Sequence, residues 1–218
     1  MSSQTVNWKD YAPAATSRVR EQTEWSVTYS YRSTETGLPR ALLIGDSICN
    51  AYQGRVRELL GGRVNMDFWA SSKCVTDPDY FRELDLMLSA RPLDMVTFNN
   101  GLHSLSTDRG EWDAAYGSAV AFIRAKLPEA KLALVLSTPL KAEKLTAVSA
   151  SLNETVRRLA DEQGLDAVDL FAPMDALDRE EFWTDTYHFT SAAVNMQAET
   201  LAEHILRTLG ADAGREGT

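Results

Sequence analysis

Hydrophobic positions along this chain follow two alternating periods. Ala41, Leu42, Leu43 and Ile44 form an unbroken apolar run that ends at Gly45, as a short strand buried on both faces does. Immediately afterwards Ile48, Tyr52, Val56 and Leu59 recur at spacings of four, four and three, which places them on one face of a helix. The pattern then repeats. Further strands are predicted at 64–69, 93–98, 132–137 and 165–170. Helices are predicted at 80–90, 113–127 and 191–209, with one more long helix carrying Leu145, Val148, Leu152, Val156 and Leu159. Gly61-Gly62 and Gly210 supply helix stop signals. Strands separated by helices imply a parallel sheet covered on both faces, hence an α/β fold with a three-layer αβα sandwich.

The first 37 residues differ. They are polar and of mixed charge, with a period-two alternation at Trp25, Val27, Tyr29 and Tyr31 that predicts a strand or extended arm. Thr36-Gly37-Leu38-Pro39 is a turn signal before the central strand. No repeat or linker interrupts the chain, so the expectation is one domain over 1–218 with 1–37 as an N-terminal extension packed on it.

Composition narrows the function classes. The 218 residues are 44% hydrophobic and 24% charged, ordinary for a globular protein. A formal net charge of -9 argues against nucleic acid as a partner and against anionic membrane surfaces. The apolar runs, such as 132–136, are too short to span a bilayer. Met1-Ser2-Ser3-Gln4 is not a basic segment leading into an apolar one, so a cytoplasmic location is expected. Cys49 and Cys74 make no disulfide framework and are expected as free thiols, with a bridge left open because both fall near the presumed site. Cys49, Cys74 and His188 lack the short ligand spacing of a zinc site, and no metal or cofactor is expected.

Ser47 occupies the corner where the first parallel strand ends and its helix begins. Open α/β folds bind ligands at that edge, and helix N-termini stabilise anions. A serine there can also be a simple helix cap. Of the three histidines, His204 lies on the last helix and is expected to face solvent, while His188 follows Asp185 by three positions in a loop before that helix. In a turn this spacing can bring the carboxylate onto one ring nitrogen. The other nitrogen is then free to take a proton from a serine hydroxyl, which is inert without such a base.

Gly45-Asp46-Ser47 near the start and Asp185-x-x-His188 near the end, on alternating strands and helices, resemble the SGNH (GDSL-type) hydrolases over roughly residues 39–209. The resemblance implies a flavodoxin-like five-stranded parallel sheet of order 2-1-3-4-5, with Ser47 as nucleophile and Asp185 and His188 as acid and base. It also implies an oxyanion hole. The Ser47 corner provides one donor. The family's glycine after the second strand is replaced by Ser71-Ser72, so one of these serines is the candidate second donor. The family's Gly-x-Asn-Asp stretch becomes Gly101-Leu102-His103-Ser104, which leaves His103 or Asn100 as the third. The departure resembles carbohydrate-esterase-like members of the family.

The resulting expectation is a serine ester hydrolase working through an acyl-enzyme. Its substrate is a small-molecule acyl ester, with acetyl on a sugar favoured. Trp69, Trp183 and Tyr187 fall in or beside the predicted site loops and are candidate sugar-binding aromatics, or else plain core residues. An O-acyltransferase uses the same intermediate and remains open, as does a lipase or thioesterase. A non-catalytic carbohydrate-binding module is the reading that the residues favour least.

Overall fold

The computed structural model describes residues 6–211. Residues 1–5, which include the Met1-Ser2-Ser3-Gln4 stretch, and 212–218 lie outside the described residues. The sheet is built from β1 (Ser26–Ser30), β2 (Arg40–Gly45), β3 (Asn65–Ser71), β4 (Met95–Phe98), β5 (Lys131–Val135) and β6 (Asp166–Val168). Its order is β1-β3-β2-β4-β5-β6, with only β1 antiparallel to its neighbour. The parallel strands, numbered along the chain, therefore run 2-1-3-4-5. The predicted five strands become six because the alternating stretch around Val27 pairs with the outer edge of β3, register Val27 to Ala70.

Every residue of β2 is buried, but its two faces feed different layers. Leu42 and Ile44 pack with Phe81, Trp112, Tyr116 and Val156. These come from α2 (Pro78–Ser89), α3 (Arg109–Lys126) and α4 (Glu143–Gln163). Ala41 and Leu43 pack with Tyr52, Val56, Leu201 and Ile205, from α1 (Ser47–Leu60) and the last helix, α7 (Ser191–Thr208). Two short helices precede α7, namely α5 (Phe171–Asp175) and α6 (Arg179–Phe182). The latter forms where no helix is predicted, because Asp178 accepts from the Glu180 and Glu181 N–H groups and caps it. No described helix is long and apolar enough to cross a membrane.

His204 does not face solvent. It is 6% exposed, with Arg207 donating to its Nδ1 at 3.0 Å and Asp166 lying 3.6 Å from Nε2. The long apolar face of α7 rolls this position inward against the end of the sheet. Cys49 and Cys74 are buried free thiols.

Candidate active site

Ser47 is the first residue of α1, directly after β2. Asp46 caps the helix by accepting from the Ile48 N–H at 2.9 Å. The capping role thus falls to Asp46 and leaves the Ser47 hydroxyl free. The turn is tight enough to exclude a side chain at Gly45, where an added Cβ would stand 2.5 Å from Cys49 Cβ.

The loop before α7 brings the other two groups to this corner. His188 Nε2 lies 2.9 Å from Ser47 Oγ, and His188 Nδ1 lies 2.8 Å from Asp185 Oδ2. Asp185 Oδ1 also accepts from the Tyr187 and His188 N–H groups at 2.7 and 2.8 Å. The Trp183–Phe189 bridge closes the loop below them. An ionised carboxylate can only accept, so the proton belongs on Nδ1 and the Nε2 lone pair faces the serine. Desolvation raises the Asp185 pKa, but the hydrogen bonds from the His188 ring and from the two N–H groups outweigh it and bring the carboxyl from the ordinary 3.8 to about 2. At the same corner, the first N–H groups of α1 have no intrahelical acceptor and favour negative charge. The arrangement can deprotonate a hydroxyl and stabilise the oxyanion that follows its attack.

Of the second-strand candidates, Ser72 is excluded as a donor because its N–H already donates to the Trp25 carbonyl at 3.1 Å. Alternate N–H groups along a strand face opposite neighbours. Ser71 therefore turns its N–H the other way, into the parallel ladder with β2, where the Gly45–Ala70 pairing gives it the Gly45 carbonyl, so neither serine N–H is left for an oxyanion. Asn100 is likewise committed elsewhere. Its Oδ1 accepts from the Val75 N–H and its Nδ2 donates to the Lys73 carbonyl, each at 2.9 Å, so it braces the loop after β3. His103 does reach the site, but with Nδ1 2.5 Å from Glu21 Oε1. The carboxylate fixes the proton on Nδ1, so the neutral ring offers a lone pair at Nε2 rather than the N–H that an oxyanion requires.

A pocket of roughly 590 Å³ opens beside Ser47 and His188. Tyr187 and His103 line it, as expected of site residues. The two tryptophans do not. Trp69 is 2% exposed, donates to Ser26 Oγ and packs on Tyr80 with centroids 4.9 Å apart. Trp183 is buried against Phe189 at 4.5 Å. Both are core aromatics. Sequence reasoning missed Arg18, Val19, Glu21 and Trp25, which form another wall of the pocket. They lie in a polar stretch of no regular period. The sole signal there was Trp25, which reads as part of the edge strand.

Residues 26–194 match the GDSL-like lipase/acylhydrolase family. The fold is similar to a mutant of Axe2, an acetyl-xylooligosaccharide esterase from Geobacillus stearothermophilus, at TM-score 0.64 and 18% identity, over 82% of this chain and 97% of that one. It is also similar to a member of the lipolytic protein G-D-S-L family from Veillonella parvula, at TM-score 0.63 and 16% identity, over 77% and 98% of the two chains. At these identities the likeness is one of fold. Comparison with curated proteins finds no significant match.

Proposed function

Since the chain belongs to the GDSL-like lipase/acylhydrolase family, and is by that membership a carboxylic ester hydrolase, we propose that it cleaves short acyl esters of a carbohydrate or related alcohol through an acyl-enzyme on Ser47. The observation that carries this reading is the continuous chain from Ser47 Oγ through His188 to Asp185, with steps of 2.9 and 2.8 Å. Ser47 Oγ attacks the ester carbonyl while His188 Nε2 takes its proton. Asp185 keeps the imidazole in the required tautomer and stabilises the imidazolium. The Ser47 N–H at the start of α1 is the proposed oxyanion donor. Collapse of the tetrahedral intermediate expels the alcohol, which receives the proton from His188. A water, deprotonated by the same nitrogen, then releases the acid and restores Ser47.

Aromatic faces at Tyr187 and Trp25 beside the serine support a sugar in the pocket. An acetyl-xylooligosaccharide esterase among the similar folds agrees with an acetyl group as the one transferred. The test is hydrolysis of nitrophenyl acetate, a series of longer acyl chains and a panel of acetylated sugars, by wild type and by Ser47→Ala. The expected loss is roughly three or more orders of magnitude in kcat. Equal rates in the two proteins would remove the serine mechanism. A clear preference for long chains over acetyl would remove the substrate assignment.

A further inference from the structure

One wall of the pocket comes from residues that precede the family-matched span 26–194. The stretch 17–25 has no helix or strand, yet it is fastened along its length. The Ser17 N–H donates to Glu111 at 3.0 Å. Arg18, its side chain 2% exposed, reaches Asp77 at 2.5 Å and the carbonyls of Ser72 and His103 at 2.8 and 3.3 Å. Arg20 pairs with Asp79, and the Trp25 N–H donates to Ser72 Oγ at 2.8 Å. Breaking a buried pair such as Arg18–Asp77 strands a charge, so the strap is held in one place. It sets Val19, Glu21 and Trp25 against the pocket.

Glu21 holds His103 Nδ1 through Oε1 at 2.5 Å, and its side chain remains 46% exposed. Among the described residues its Oε2 has no hydrogen-bond partner, whereas His103 Nε2 is buried and unpartnered. Oε2 is thus the acceptor open to the pocket, and His103 holds the carboxylate that carries it. Trp25 stands edge-on to the His103 ring at 6.0 Å, and Val19 is an exposed apolar neighbour. The Arg18 donors are spent on Asp77 and on the carbonyls of Ser72 and His103, so the free carboxylate oxygen beside apolar faces suits a neutral ring with C–H faces and O–H groups. With a short acyl group on Ser47, as proposed above, this wall meets the alcohol portion of the ester.

We propose that Glu21, held in place by His103, binds a substrate hydroxyl and so selects esters whose alcohol portion is a polyol or sugar ring with a free hydroxyl beside the acylated one. This rests on the reading of Ser47 as the nucleophile. The strap carrying Glu21 is then an element of specificity added to the family core.

The experiment compares kcat/KM for the monoacetate of trans-1,2-cyclohexanediol with that for cyclohexyl acetate, which lacks only the hydroxyl. Wild type should favour the hydroxylated ester by about tenfold. Glu21→Ala and His103→Ala should each cut that ratio by about threefold or more, mainly through KM, as loss of uniform binding does. Because each ratio is taken within one preparation, a partly folded variant loses both rates and keeps its ratio. A wild-type ratio near one, or a ratio unchanged in both variants, overturns the inference. Ser47→Ala run alongside separates the two levels. Turnover that survives it overturns the ester-hydrolase reading itself, whereas a failed ratio with Ser47 dependence intact overturns the hydroxyl wall alone.

Discussion

Asp185 holds His188 at two points, through Oδ2 to the ring Nδ1 at 2.8 Å and through Oδ1 to the backbone N–H at 2.8 Å. The carboxylate thus sets both the tautomer of the imidazole and the turn that carries it.

Asp185→Asn separates these roles. The amide oxygen can still accept from the backbone, but an amide N–H facing Nδ1 forces the ring proton onto Nε2, where it can no longer act as base. By the triad precedent kcat should fall by about 10⁴, with the fold retained by circular dichroism. A variant that keeps more than a tenth of wild-type kcat would contradict this role for Asp185.

The same carboxyl gives a pH expectation. Its pKa is depressed to about 2 from the ordinary 3.8, so it contributes stability that is present above 3.8 and lost as pH falls through 2. The side chain is half exposed, so this contribution is small. Denaturant melts of wild type and Asp185→Asn at pH 5 and pH 2 should differ more at pH 5, and an equal difference at both would count against it.

Gly45→Ala should lower stability because the new Cβ meets Cys49 Cβ at 2.5 Å and Sγ at 3.2 Å. Overpacking of this kind costs about 1–3 kcal/mol, which in a domain of this size lowers Tm by about 2–4 °C per kcal/mol. Cys49→Ala removes only the Sγ contact and should rescue little, while Cys49→Gly should rescue more. A Gly45→Ala protein with wild-type Tm and kcat would show that the strand–helix corner has room to relax.

His204 should make the protein acid-sensitive. Burial lowers its pKa below the ordinary 6.5, with Arg207 adding to the effect and Asp166 opposing it. The unfolded chain therefore binds a proton that the folded chain resists, so stability is full above 6.5 and declines as pH falls below it. His204→Gln should flatten the slope of unfolding free energy between pH 7 and pH 5. An unchanged slope would assign the acid sensitivity elsewhere.

The sequence by itself determined what local spacing encodes. The apolar run at 41–44 and the helical register after it specify β2, α1 and the corner that presents Ser47, because a buried parallel strand and an amphipathic helix each have their own period. The Asp185-x-x-His188 spacing is equally local, since a single turn suffices to fold the carboxylate onto the ring. Tertiary structure alone decided what depends on contacts between distant segments. Trp69 and Trp183 stand beside site loops in sequence, yet sheet packing buries both. Ser71 and Ser72 are adjacent and chemically identical, and only the sheet decides their N–H groups, one taken by β1 and the other by β2. Arg18 and Glu21 lie in a stretch with no period to read, and the period at Trp25 speaks only of the edge strand. They become part of the pocket because Asp77, 59 positions beyond Arg18, draws the strap across its mouth.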